Sequence, residues 1–424
     1  MMKKSHLKIL GTSITLSLAT STLLHATNGD HLISVGAKAR GMGGVGIAMS
    51  HGAESTLNNP ALITKVSGTE ISFGGTVFMP DIQAEMGMAP KYTSDADMNL
   101  IPEVSIAHKI NDSLYIGIGM WGTAGMGVDY RDAALSPVDS GNMHMVTNLQ
   151  LMQFAIPLAY KMEGFSIAVA PIIQYGSLDI NYNDFAGMSN GTGVAQDFGM
   201  GFDIGATYDF ANGLVIGAVY KSKIDMDYTD QLSVATQPFV DFGIFPATMG
   251  NNLEQPAEFG VGFAYTMGQH TFAADYKQIQ WSSAKGYEEF GWDDQNVIAV
   301  GYQYTKDNWI LRLGYNHANN PLTEFQSGPE VITPGNYAMA AGNALNLFNL
   351  LGFPATAEDH YTMGGTYAFN EAFSLDFAYV YAPETTTTMN TIVGVNPTTG
   401  DMYIGPTTVY HTENSLSFQL TYKF

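Results

Sequence analysis

Along much of the chain large apolar residues occupy every second position, with small residues between them. Phe259, Val261, Phe263 and Tyr265 alternate with Gly260, Gly262 and Ala264. Met200, Phe202, Ile204, Ala206, Tyr208 and Phe210 alternate with Gly201, Asp203, Gly205, Thr207 and Asp209. Phe373, Leu375, Phe377, Tyr379 and Tyr381 behave likewise, as do Leu416, Phe418, Leu420, Tyr422 and Phe424 at the end of the chain. Period two places each set on one face of a β-strand. In a soluble sandwich the second face would meet water and carry Lys and Glu. Here it carries Gly, Ala, Ser, Thr and an occasional Asp, so the large set faces lipid and the small set a lumen. Trp309, Tyr315, Tyr367 and Tyr422 lie near strand ends, where interfacial aromatic girdles form.

Fourteen segments alternate in this way, near 69–80, 100–110, 113–130, 145–161, 164–182, 198–210, 213–231, 257–267, 270–284, 295–305, 308–318, 360–369, 372–389 and 406–424. An even number suits a single-chain, all-β transmembrane antiparallel barrel, here residues 69–424. Tight turns such as Asn111-Asp112, Lys306-Asp307 and Asn370-Glu371 belong on the periplasmic side. The long connections 183–197, 232–256, 319–359 and 390–405 belong outside. Residues 27–68 do not alternate and contain Gly36, Gly41, Gly43, Gly44 and Gly46, then Asn59-Pro60-Ala61. A segment of this size ahead of fourteen strands fits inside the barrel as a hatch. Gly41 to Gly46 spells a dinucleotide-binding GxGxxG, but no strand precedes it and no βαβ unit surrounds it. Its glycines read instead as backbone packed closely on the lumen wall.

The start of the chain has the form of a secretory signal peptide. Lys3, Lys4 and Lys8 precede an apolar stretch to Leu24, and cleavage is expected after Ala26. No later run of 18 apolar residues suggests a spanning helix. Charge then narrows the function. The net charge is -22, and loss of residues 1–26 leaves 14 basic against 39 acidic residues, which disfavours nucleic acid as a partner. Absence of Cys removes thiol nucleophiles and Cys-ligated metals. The His residues are dispersed without metal-ligand spacing and no Gly-x-Ser-x-Gly elbow occurs, so neither a cofactor, a metal nor an enzyme is expected.

Gly41-Met42-Gly43-Gly44-Val45 through Asn59-Pro60-Ala61-Leu62-Ile63 resembles the N-terminal hatch of the FadL/TodX family of outer-membrane transporters for long-chain fatty acids and aromatic hydrocarbons. Gln255 to Gly260, Asp307 to Tyr315 with Asn320-Pro321, Gly364 to Asn370 and the terminal Phe424 extend the resemblance over the mature chain. It implies a plugged fourteen-stranded barrel in the bacterial outer membrane. It further implies capture of ligand between outer loops, hatch movement, and sideways release through a kink in the third strand.

Residue patterns suggest where these steps occur. Phe239, Val240, Phe242, Ile244, Phe245 and Met249, with Phe185 and Met188 of the preceding outer loop, are too apolar for loops meant only for water. They read as a capture surface, the alternative being that they pack the loops on one another. Gly122, Gly125 and Gly127 crowd the third strand and mark a candidate opening, against a plain row of lumen-facing glycines. The apolar spacing of Tyr337 to Phe353 suits a short amphipathic helix at the barrel mouth. A carboxylate ligand needs a cation, for which Arg312, Lys277 and Arg40 are the candidates, unless inward acids pair with them. The expected partners are a hydrophobic small molecule and outer-membrane lipid, with the protein a monomer. A porin for polar solutes and a structural or adhesin barrel are the competing readings; a porin should lack a plug.

Overall fold

The structure, a computed structural model, describes residues 28–131 and 143–424. The expected signal peptide lies outside the described residues. Fourteen strands form the wall. They are β1 (Thr69–Met86), β2 (Asn99–Lys109), β3 (Leu114–Asp129), β4 (Val146–Ala155 and Leu158–Met162), β5 (Phe165–Asn183), β6 (Ala195–Asp209) and β7 (Leu214–Lys221). The second half comprises β8 (Glu258–Met267), β9 (His270–Ile279), β10 (Gln295–Lys306), β11 (Trp309–Ala318), β12 (Asp359–Ala368), β13 (Phe373–Val395) and β14 (Met402–Lys423). Successive strands pair antiparallel, and β1 pairs with β14 from Glu70↔Lys423 to Met86↔Thr407, which closes the barrel. No described helix is long and apolar enough to cross a membrane. Pro157 breaks β4 into two segments because it has no N–H to give.

Alternation is realised as expected: Phe259, Val261, Phe263 and Tyr265 are exposed on the outer wall while Ala264 and Gly260 are buried. The tight turns connect strand ends on one side and the long loops lie on the other. Several boundaries differ from the sequence expectation, and β1 runs on to Met86 instead of ending near 80. β7 stops at Lys221 instead of running to 231, because Ile224 and Asp227 leave the ladder and make single bridges to Gln255 and Asn252. β9 stops at Ile279, before a 3-10 turn at Trp281–Ser283. The last outer connection is a short one, because β13 and β14 run for 23 and 22 residues and turn only between Val395 and Met402. A spanning strand needs about 9–11 residues, so this hairpin stands well clear of the bilayer.

Among the loops, Gln231–Asp241 forms helix α2, and Ala341–Leu347 forms helix α3, continued by a π turn at Phe348–Gly352. The second of these is the amphipathic helix expected at the mouth. Its Leu347, Phe348, Leu350 and Leu351 are fully buried.

Residues 28–66 run within the barrel as a nearly continuous buried segment, with one α-helical turn, α1, at Ala37–Arg40 and 3-10 turns at Gly52–Thr56 and Pro60–Lys65. α1 is numbered first in the chain and packs against β12, β13 and β14. Small wall residues make room for it. Gly314 of β11 lies so close to the segment that a Cβ there would sit 2.1 Å from the Gly43 nitrogen. Gly43 itself has φ 72 and approaches the Tyr315 backbone. Backbone groups of the segment are met by wall side chains: Gly43 N donates to Thr362 Oγ1 at 2.8 Å, and Gly46 N and Ile47 N donate to Asp275 Oδ2 at 2.7 and 2.9 Å. Asn59 caps the turn at Pro60–Lys65 through Ala61 N, and its Nδ2 donates to Ile47 O at 2.7 Å.

Gly314→Leu should therefore drive residues 41–46 off the wall, at about 1–3 kcal/mol for overpacking, while the barrel stays intact. Hydrogen exchange is expected to rise across 41–46 with unchanged heat-modifiable electrophoretic mobility; unchanged exchange would contradict the close approach.

Candidate functional site

The third strand departs from the wall. β2 and β3 pair only from Lys109↔Tyr115 to Glu103↔Trp121. Beyond Trp121, β3 keeps its ladder with β4, bulged between Gly122 and Ala124, while Asn99 to Pro102 of β2 pair with β1 alone. Burial along β3 alternates up to Met120 and then ceases to alternate: from Trp121 to Asp129 every residue but Thr123 is buried. The strand has bent inward, as its glycines allow. The backbone groups released by the bend are taken up by the N-terminal segment. Leu32 N donates to Thr123 O at 3.1 Å and Gly125 N donates to Asp30 O at 2.9 Å. A small opening remains between the strands, bordered by Leu100, Ile101, Pro102, Gly122 and Met152. Ile101 closes its inner end, since a Cβ on Gly122 would lie 2.6 Å from Ile101 Cγ2. Of the three glycines singled out in the sequence, Gly122 borders the opening and Gly125 bonds the N-terminal segment. Gly127 pairs with Asn148 farther along the inward stretch.

Above the segment, the outer loops join in one apolar cluster. Phe239 on α2 meets Phe348 at 5.3 Å, Phe245 at 5.4 Å and Phe185 at 6.0 Å between ring centroids. Phe185 also meets Phe242, which reaches Tyr337. Three loops are thereby tied together. Of the expected capture residues, Phe239 and Ile244 are fully buried; Phe185, Val240, Phe242, Phe245 and Met249 are half-buried, and Met188 is 65% exposed.

Next to this cluster, within the mouth, lies an apolar slot lined by Met126, Leu232, Leu253, Tyr287, Phe290, Trp292, Asn349 and Phe353. Tyr287 and Trp292 of this lining pack with Trp281 in tilted and edge-on contacts, with centroids 4.6 to 5.1 Å apart. The slot and the kinked strand share a link. Tyr287 donates its OH to Asp30 Oδ2 at 2.5 Å, Gln255 Nε2 donates to the same oxygen at 3.1 Å, and the Asp30 carbonyl holds Gly125. Burial raises the Asp30 carboxyl and lifts the Tyr287 phenol well above its ordinary value. The sequence reading does not reach Trp281, Tyr287, Trp292 or Asp30. The signal available to it is four aromatic residues between 281 and 292, too dense for a solvated connection.

Each of the three candidate cations has protein partners, the alternative left open by the sequence. Arg312 donates to Gln303 Oε1 at 3.0 Å and Thr366 Oγ1 at 2.8 Å, with Asp376 at 3.8 Å. Arg40 donates to Ser34 O at 3.3 Å and to Ser415 Oγ at 2.8 Å. Lys277 reaches Ile33 O at 3.5 Å beside a polar cavity shared with Lys221 and Glu258, which pair at 3.3 Å. Lys38, a residue outside the sequence reading, sits 3.6 Å from Glu70 and 3.8 Å from Asp376 and donates to His51 O. The bonds of Lys38, Arg40 and Lys277 fasten the N-terminal segment to β1, β9, β13 and β14, while Arg312 ties wall strands to one another.

With this geometry, the comparisons with known proteins become decisive. Residues 30–344 match the model of the family described as Outer membrane protein transport protein (OMPP1/FadL/TodX). The chain belongs to this family. It is therefore an outer-membrane β-barrel of a transport family rather than an enzyme. Among solved structures, a Pseudomonas aeruginosa FadL homologue superposes with a TM-score of 0.68 at 16% identity, covering 93% of this chain and 100% of that one. The P. putida toluene transporter TodX gives 0.66 at 17% identity over 93% and 99%. The Ralstonia pickettii toluene transporter TbuX gives 0.62 at 16% over 93% and 99%. These likenesses establish the fold. An uncharacterized Chlorobium limicola protein is 32% identical over 104 residues, 24% of this chain, and the match spans half of that relative's length.

Within this family barrel, two buried groups of the N-terminal segment carry a pH dependence. Burial pushes the His51 imidazole down to about 3, and its Nε2 donates to Val45 O at 2.7 Å. Burial likewise pushes the Glu54 carboxyl up to about 8, against the pull of Lys38. Free in water, the two titrate near 6.5 and 4.5. Below pH 6.5 the undocked His51 takes up a proton that the docked one refuses until about 3; above pH 4.5 the undocked Glu54 loses one that the docked one keeps until about 8. Docking of residues 36–56 should be tightest between pH 4.5 and 6.5 and weaken on both sides. Exchange protection of 36–56 measured from pH 4 to 9 should show this maximum, and Glu54→Gln should abolish the alkaline decline alone.

Proposed function

We propose that the protein carries hydrophobic small molecules passively across the outer membrane. Residues 27–68 act as its hatch, after removal of residues 1–26. Apolar molecules enter at the loop cluster around Phe239, occupy the slot of Tyr287, Phe290 and Trp292, and leave sideways past Gly122 into the lipid. The observation that carries this reading is the parting of β2 and β3 beyond Trp121, at the place where Asp30 and Leu32 bond the bent strand. A wall in lipid leaves backbone groups unpaired only at a cost of several kcal/mol each, so an unpaired stretch supports a use for the opening. The toluene transporters TodX and TbuX among the structural neighbours support the class of cargo. A barrel closed on itself, with a filled lumen, supports a monomer surrounded by lipid and disfavours a water-filled porin.

Two measurements test the reading. Liposomes containing the intact protein should swell in sugars no faster than empty ones; rapid flux of sugar would make the protein a porin. Gly122→Leu places a side chain against Ile101 and should slow uptake of toluene about tenfold or more without loss of the folded barrel. Uptake at the wild-type rate by a correctly folded Gly122→Leu barrel would refute lateral exit.

A further inference from the structure

The slot at the mouth has a chemistry that the transport reading alone does not define. We infer that it selects uncharged hydrocarbons and rejects ionised carboxylates, a specificity that rests on the proposed transport function and refines it. Its lining contains one polar side chain, Asn349, and both ends of that amide are engaged: Oδ1 accepts from Trp292 Nε1 at 3.1 Å and Nδ2 donates to Phe290 O at 2.8 Å. The bond from Trp292 also occupies the one donor of its indole, so the ring offers the slot only an apolar face. No lysine or arginine is among the lining residues. Other cations on the outer side have partners of their own: Lys223 has Glu254 at 3.3 Å, Lys285 has Asp225 at 3.2 Å, Arg131 has Asp129, and Lys91 lies over the Tyr410 ring.

The group directly behind the slot is an acid. Asp30, fully buried, accepts the Tyr287 phenol from the far side of the wall. A ligand carboxylate would thus meet neither a cation nor a free donor, and it would face an acid across one aromatic ring. Leaving an ionised group unpaired in such surroundings is costly enough that the group protonates instead. An aliphatic or aromatic acid is therefore accepted only as the neutral acid, and its apparent affinity falls about tenfold for each pH unit above its own pKa. The free space between the rings is about 10 Å³, so the slot is closed in this conformation. Met126, unbranched and adaptable, is the wall side chain best able to yield to a ring.

Binding to the detergent-solubilised full chain tests this by tryptophan fluorescence, with propylbenzene and 3-phenylpropanoate as probes of one shape. Leu253→Trp, which fills the slot, is the control. Propylbenzene is expected to bind at pH 8 and at pH 5. Phenylpropanoate is expected to bind at least about 100-fold more weakly at pH 8 and to recover most of the difference at pH 5; Leu253→Trp should abolish both. Equal affinity of the two probes at pH 8, lost in Leu253→Trp, overturns the charge selectivity and leaves the transport reading standing. Binding that Leu253→Trp does not alter overturns the slot as the site. Failure of either probe to bind the wild-type chain at any pH overturns this inference, and failure of toluene uptake besides overturns the function on which it rests.

Discussion

Backbone amides in hydrocarbon have no water to turn to, and every other feature of this barrel follows from that constraint. Each wall strand must be paired along both edges through the bilayer, and the ladder between the first and last strands meets the demand by closing the sheet. Closure at fourteen strands leaves a lumen too wide for wall side chains to fill. The N-terminal segment fills it, and the wall is built to receive it. Glycines at 205, 217, 301, 314 and 364 line the interior where a larger residue would collide with residues 41–60. The scarcity of large inward side chains is thus a requirement of the plug as much as of the lumen.

The same constraint explains why the bend of β3 is informative. A strand that leaves its neighbour exposes two edges to lipid, and this one does so while a separate piece of the chain takes over part of its hydrogen bonding. The residues that do so are continuous with Asp30, and Asp30 is bonded to an aromatic side chain of the apolar slot. The slot lining, the N-terminal segment and the bent strand are therefore joined by one chain of hydrogen bonds.

Much of this was legible in the chain before any coordinates. Period-two patterning locates the strands because lipid and lumen impose opposite demands on alternate residues, and the glycines of residues 36–46 mark close packing because no larger side chain would fit. Patterning failed where those demands lapse. Ile224, Met226 and Tyr228 keep the alternation after β7 has left the sheet, because they face a packed loop core instead of lipid. Phe239 and Ile244 look like exposed capture residues in the sequence, yet lie buried, since three loops from distant parts of the chain converge on them. The slot was illegible for a related reason: Met126, Leu253, Tyr287, Trp292 and Phe353 come from four separate connections and strands, and nothing local to any one of them announces the others. The cations were read as candidates that inward acids such as Asp376 could engage, while the bond of Arg40 to Ser415 depended on a partner that only the barrel brings near.

The seam between Thr69 and Phe424 has a bearing on how the molecule is made. Thr69 N donates to Phe424 O at 2.8 Å, so the two ends of the wall are zipped together by the last residue of the chain. Residues 28–66, at the opposite end of the sequence, are anchored to β1, β9, β11, β12, β13 and β14, strands from both halves of the wall. Assembly therefore depends on contacts far apart in sequence and is correspondingly slow.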